Sequence, residues 1–169
     1  RIVPENPELK ELSDVFNAPF TLYSKNISGS FRNSCDKLGV KMLLFEGGKS
    51  LDINEEVTND AIEGTKRFLD HLDMLNPRKK ANIKSKKPIY IEKSNWVRVK
   101  FSGMFHGMVK IGSFIKKGDL IATISDPYGK VEHKMKAPHD GYVINVNDAP
   151  IVYQGDAIFH VSTHLESES

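Results

Sequence analysis

Val40-Lys41-Met42-Leu43-Leu44-Phe45-Glu46-Gly47-Gly48 is the stretch from which the fold of the chain is read. Six apolar or aliphatic-stemmed residues run into a carboxylate, and two glycines follow at once. The pattern predicts a buried strand over 40–45 that delivers Glu46 to its end, on a backbone kept bare by Gly47 and Gly48. A carboxylate so placed is positioned for proton chemistry. The bland alternative is a Glu that caps a turn at a strand end. Nothing adjacent supplies a metal ligand or a nucleophile, so the stretch reads as one half of an active site.

Working outward, Ser28-Gly29-Ser30 opens a helix that turns Phe31, Cys35 and Leu38 inward, and Gly39 stops it. Downstream, Asn54 caps a long helix with Glu55 and Glu56 in its first turn, where their charge suits the helix dipole. Val57, Ala61, Ile62, Thr65, Phe68, Leu69, Leu72 and Leu75 form its apolar stripe. Upstream, Pro7 to Phe16 reads as a helix with Pro at its start and Leu9, Leu12 and Phe16 on one face. Phe20 to Tyr23 reads as a short strand. The first part is therefore α/β.

From Asn76-Pro77 to Lys87-Pro88 the chain is polar and basic, a linker that divides it into domains 1–80 and 81–169. Beyond it short apolar runs alternate with glycine turns, an all-β pattern. Gly103 is followed after 15 residues by Gly118-Asp119, and Gly141 after 14 residues by Gly155-Asp156. Two copies of one Gly-strand-turn-Gly-Asp-strand unit imply two similar β layers related by a pseudo-twofold axis. Each Gly-Asp is read as a tight turn, with glycine at positive φ and Asp bonding its own backbone.

Composition excludes several classes. A net charge of +2 over 169 residues gives no electrostatic footprint for nucleic acid or a membrane surface. The lysines of Arg78-Lys79-Lys80 and Lys84-Ser85-Lys86-Lys87 have no interleaved aromatics and read as a solvated linker. Cys35 is the only cysteine, so no disulfide framework exists, and a reducing, cytoplasmic setting fits. No apolar run has membrane-spanning length. The chain starts without Met and is read as a fragment. Ser28, Ser30 and Ser34 lack an activating base, two of them being explained as helix caps, and Cys35 reads as a core residue.

Taken in order, Gly29-Ser30-Phe31-Arg32, Leu38-Gly39-Val40, Phe45-Glu46-Gly47-Gly48 and the long helix resemble the succinylglutamate desuccinylase/aspartoacylase family, zinc-dependent relatives of the carboxypeptidases. Val109-Lys110-Ile111-Gly112, Ile115 to Asp119 and Lys136 to Val143 resemble the domain that follows the catalytic one there. The resemblance implies the C-terminal part of a three-layer α/β/α catalytic domain, followed by a barrel-sandwich of the biotinyl/lipoyl type.

It also implies hydrolysis of the amide bond of N-acyl amino acids, with zinc as cofactor. The family holds its zinc with a His-x-x-Glu pair and a later His. None of the six histidines here stands three residues before a Glu, so the ligands are expected upstream of Arg1 and the fragment alone is expected to be inactive. His160 and His164 share a strand face but read as surface residues.

By the resemblance Glu46 is the general base and acid, its pKa raised by the apolar strand. Arg32 is a candidate to grip the substrate carboxylate, with a solvated helix-face arginine as the equal alternative. Lys130, at a hairpin tip, stands near where carrier domains are modified, but the flanking methionines of a biotin acceptor are absent. The other functional reading is a non-enzymatic barrel-sandwich, an interaction or carrier module. A homo-oligomer is compatible with either.

Overall fold

Asn6 and Pro7 start the first helix by local chemistry alone. The computed structural model describes residues 1–4, 6–49, 52–76 and 87–167. In it α1 spans Pro7–Phe16, with Asn6 Oδ1 accepting from the Leu9 N–H at 3.1 Å and proline at the first helical position. Asn17 ends the helix in the left-handed conformation, φ 55°, its N–H donated to Ser13 O. Leu9 and Ser13 are buried, and the Ser13 and Thr21 hydroxyls satisfy each other at 2.7 Å. β1 follows at Phe20–Leu22, α2 at Phe31–Lys37 and α3 at Glu55–His71.

Two compact units result, Arg1–Tyr90 and Ile91–Ser169. The boundary expected at residue 80, like most of the expected linker, lies outside the described residues.

In the first unit Ile2 is fully enclosed, and its N–H and C=O bond Leu22 O and Ser24 N beside β1. Arg1 in turn exchanges backbone bonds with Leu44. Residues 40–46 form no strand, which corrects the expectation of a buried one. The reason is a lack of neighbours among the described residues: Arg1 pairs with Leu44, and the other backbone bond there, Val40 N to Cys35 O, belongs to the end of α2. Val40 and Phe45 stay exposed.

The helix of residues 31–37 also departs from expectation. Ser30 caps it and Gly39 terminates it at φ +72°, as read, but Phe31 and Leu38 are exposed and only Cys35 is half-buried. Phe31 opens this seven-residue helix and Leu38 stands at its C-cap, and no described residue covers either.

α3 packs on α1 through Gly64, its one buried residue, where a Cβ would fall 2.7 Å from the Phe16 ring. Ile62 and Leu72 of the expected stripe are exposed. Asn54 stands at the N-cap but does not cap with its side chain; its Oδ1 accepts from Lys49 N instead. Arg67 donates to Val15 O and Phe16 O, satisfying carbonyls that the end of α1 leaves open.

Tyr90 ties the end of this unit to α1. Its hydroxyl donates to Asp14 Oδ1 at 2.8 Å and lies 3.2 Å from Lys10 O, and its ring stacks on Tyr23. Burial, then the bond to Asp14, pushes the phenol well above its ordinary value. A folded-state pKa above the unfolded one stabilises the fold fully below the unfolded value of about 10, and this is lost as pH rises through the folded value. Between pH 8 and 11, urea midpoints should therefore fall less steeply for Tyr90→Phe than for the parent sequence. Parallel curves would remove Tyr90 from the alkaline transition.

The second unit is all β. β2 (Ile89–Arg98), β9 (Ala157–Leu165), β7 (Gly141–Val146) and β4 (Phe114–Ile115) lie side by side in one sheet. β6 (Glu132–Lys136), β5 (Leu120–Ser125), β3 (Gly103–Gly107) and β8 (Ile151–Val152) form the other. Their inner faces meet in a core of Val99, Ile115, Ile121, Ile124, Val143, Val152, Ile158, Phe159 and Val161.

The repeat seen in the sequence is a repeat of bonds. Asp119 Oδ2 accepts from Lys116 N at 2.8 Å, and Asp156 Oδ2 accepts from Tyr153 N at 2.8 Å. Gly118 N donates to Ala137 O and Gly155 N to Val99 O, each at 2.9 Å. Both glycines have positive φ, +93° and +95°.

Candidate active site

Glu46 follows the segment that Arg1 pairs with at Leu44. That pairing carries the Arg1 side chain alongside, and its Nε donates to Glu46 Oε2 at 2.5 Å. The Glu46 side chain is 55% exposed. The apolar enclosure expected around it is therefore not formed by the described residues, because the segment before it lacks the strand neighbours that would build one. Gly47 stays close to α3: a Cβ on it would fall 2.7 Å from Val57 Cγ1. Glycine here lets the turn after Glu46 approach the first turn of α3, which fixes where Glu46 can stand.

Arg32 lies in the first turn of α2 and is not a solvated side chain. Its Nε donates to Asn26 Oδ1 at 2.9 Å, Nη1 to Ser24 Oγ at 2.9 Å and Nη2 to Ser24 O at 2.6 Å. A guanidinium has five N–H groups. Three are used, the two side-by-side Nη hydrogens by the neighbouring oxygens of Ser24, which leaves one outward-pointing hydrogen on each Nη to meet an anion by a single bond. Burial and then the positive charge of Arg1 lower the Arg32 pKa, opposed by Glu46 and Asp36. Arg1, Arg32 and Glu46 thus share one electrostatic neighbourhood. A pocket of about 190 Å³ opens beside Arg32, lined also by Asn26, Asp36 and Lys41; Glu46 does not line it. Lys41 pairs with Glu8 at its edge, at 2.8 Å.

Sequence reasoning missed Arg1 and the Ser24/Asn26 cradle. Arg1-Ile2-Val3 is too short a run to register as a strand, and the polar Ser24-Lys25-Asn26 reads as loop. A signal did exist for the cradle: short polar side chains just before a helix that opens with an arginine.

No group of three His, Cys, Asp or Glu residues that could hold a metal ion occurs among the described residues. The donor set for a zinc ion is therefore not formed by them. His160 is not a surface residue as expected. It is buried on β9, stacked on its cross-strand partner Trp96 and 2.8 Å from Ser94 Oγ. Lys130 sits exposed at the β5–β6 turn, its N–H donating to Asp126 Oδ1 and its ammonium over the Tyr128 ring. No described helix is long and apolar enough to cross a membrane.

The fold is that of solved proteins of the succinylglutamate desuccinylase/aspartoacylase family, in which this chain corresponds to about half of each. The product-bound ectoine utilization protein EutE (DoeB) of Ruegeria pomeroyi superposes with a TM-score of 0.79 at 19% identity, covering 94% of this chain and 49% of that one. A succinylglutamate desuccinylase of Silicibacter sp. TM1040 gives 0.76 at 18%, covering 97% and 52%. A succinylglutamate desuccinylase/aspartoacylase of Rhodobacter sphaeroides gives 0.77 at 16%, covering 96% and 53%. No protein-family model matches the chain, and neither does any curated protein sequence.

Proposed function

We propose that this chain is part of a hydrolase that cleaves the amide bond of N-acyl amino acids, with Glu46 as its proton-transfer group. The observation that carries the reading is the match of fold along nearly the whole chain to desuccinylase and aspartoacylase proteins about twice its length. Exposed Phe31, Leu38, Val40 and Phe45 support it, since a larger catalytic domain would cover them and add strands beside residues 40–45. The second unit takes the place of the barrel-sandwich domain.

In this reading zinc would be held by residues other than the described ones, and it would supply polarisation of the acyl carbonyl. Glu46 takes a proton from the attacking water and returns it to the amine nitrogen as the C–N bond breaks, so that a carboxylic acid and an amine leave. Arg32, already oriented by Ser24 and Asn26, holds the α-carboxylate of the amino acid. Arg1 keeps the Glu46 carboxylate in place.

The test uses the longer protein, loaded with zinc, against N-acetyl and N-succinyl amino acids. Release of the free amine is expected; no release from any N-acyl amino acid would overturn the reading. Arg32→Lys should raise KM roughly tenfold to a hundredfold with a smaller change in kcat. Lys cannot keep the bonds to Ser24 and Asn26 that aim the charge, and a hydrogen bond to a charged group contributes about 1.5–3 kcal/mol. An unchanged KM would place the substrate carboxylate elsewhere.

A further inference from the structure

The second unit, Ile91–Ser169, contains nine Lys and Arg and nine Asp and Glu, so it is formally neutral. Its charges are not evenly spread. A groove of about 690 Å³ is lined by Arg98, Lys100, Lys134 and Lys136, and no acidic residue lines it. None of the four has an ion pair among the described residues; Arg98 donates only to a backbone carbonyl, that of Gly155.

Two aromatic rings face the same groove. Trp96 and Phe101 are 42% and 46% exposed, side by side in the lining of one groove and not scattered singly. Each is held by a histidine stacked on it, His160 on Trp96 at 4.8 Å and His133 on Phe101 at 3.7 Å between centroids, both within 8° of parallel. The rings are thus fixed without being covered.

One wall of the groove is β6, which supplies Lys134 and Lys136. It is the edge strand of its sheet, with β5 as its only partner among the described strands, so one row of its N–H and C=O groups is unpaired. Lysines on an edge strand by themselves would be explained as protection against sheet-to-sheet association. That explanation does not reach Arg98, Lys100, Trp96 or Phe101, which come from β2 and the segment after it and line the same space.

From this combination we infer that the groove is a docking site for an extended acidic segment of a partner protein, which pairs with the free edge of β6. Its carboxylates meet the four cations and its apolar side chains lie on Trp96 and Phe101. Main-chain pairing would give affinity and the alternating side chains would give selection. The inference is independent of the hydrolase reading, because every residue it uses lies in the second unit.

Trp96 is the only tryptophan, so its fluorescence reports on the groove directly. The probe is a capped peptide of alternating Glu and Phe, titrated into the 169-residue chain. A saturable change at Trp96 is expected, weakened about tenfold or more by Lys134→Glu with Lys136→Glu and by raising the salt from low to molar concentration. Phe101→Ser should weaken it without altering charge. Both variants lie at exposed positions, and an unchanged circular dichroism spectrum and melting curve confirm that they fold. The same peptide N-methylated at alternate residues should bind more weakly, because it cannot complete the strand pairing. Equal binding of a Lys–Phe peptide, equal binding of the N-methylated peptide, or tighter binding of a single-stranded oligonucleotide than of the acidic peptide would each overturn the inference.

Discussion

Glu46→Gln in the zinc-loaded longer protein is expected to lower kcat by about 10²–10⁴-fold with KM nearly unchanged, the range that a positioned general acid–base group contributes. The substitution keeps the shape of the side chain and removes its basicity. It also keeps an oxygen that can accept from the Arg1 Nε, so the side chain should stay where it is. Zinc content measured on the same sample should match that of the unchanged protein, since Glu46 is proposed to hold a proton and not the metal. The pH profile adds a readout that a structural role would not move: the limb of kcat/KM that reports the catalytic carboxylate should vanish in Glu46→Gln. Activity within a few-fold of the unchanged protein would leave Glu46 as a residue that merely ends a segment beside Arg1.

What the sequence made legible follows from which residues depend on local chemistry. α1 was readable to its ends because Asn6, Pro7 and Asn17 set its boundaries through their own backbones and side chains. The Gly-Asp repeat was readable because each turn closes on itself, Asp119 onto Lys116 and Asp156 onto Tyr153. The segment 40–45 was misread for the opposite reason. Its composition is that of a buried strand, but a strand needs neighbours, and the described residues provide one pairing, Arg1 with Leu44. The α2 stripe and part of the α3 stripe stay uncovered likewise, Val57, Ala61, Phe68, Leu69 and Leu75 of the latter being half-buried: apolar spacing says which face wants burial and not whether anything covers it.

The candidate site divides along the same line. Glu46 and Arg32 were found as residues, through the glycines after one and the helix start around the other. Their surroundings were not, since the Arg1–Glu46 bond spans 45 residues and the hold of Ser24 and Asn26 on Arg32 depends on how the loop before α2 folds back. The groove at Trp96 was illegible because its cations come from separate strands, none forming a run in the sequence.

Gly141→Ala is expected to destabilise the second unit by about 3 kcal/mol or more, toward the upper end for overpacking, because the new methyl meets backbone and not a side chain that can swing away. At Gly141 a Cβ would fall 2.1 Å from Ser162 O and 2.9 Å from Val161 Cγ1. The strands involved, β7 and β9, are neighbours at the centre of their sheet, and Val143 and Val161 beside them are fully buried. The sheet can relieve the clash only by parting there, which would also stretch the 2.8 Å bond from Tyr142 N to Ser162 Oγ. For a unit of this size about 1 kcal/mol corresponds to roughly 4–8 °C, so a fall of the melting temperature by about 12 °C or more is expected. Gly103 holds the equivalent place in the other half of the repeat, its Cβ position 2.5 Å from Ser125 O, and Gly103→Ala should act in the same direction. Gly112, with φ +86° and open space around it, is the control: its alanine variant should carry only the smaller strain of a left-handed backbone, about 1 kcal/mol. If Gly141→Ala and Gly103→Ala melted no lower than Gly112→Ala, the close approach of the strands at the two repeat glycines would not be what holds the sheets in register.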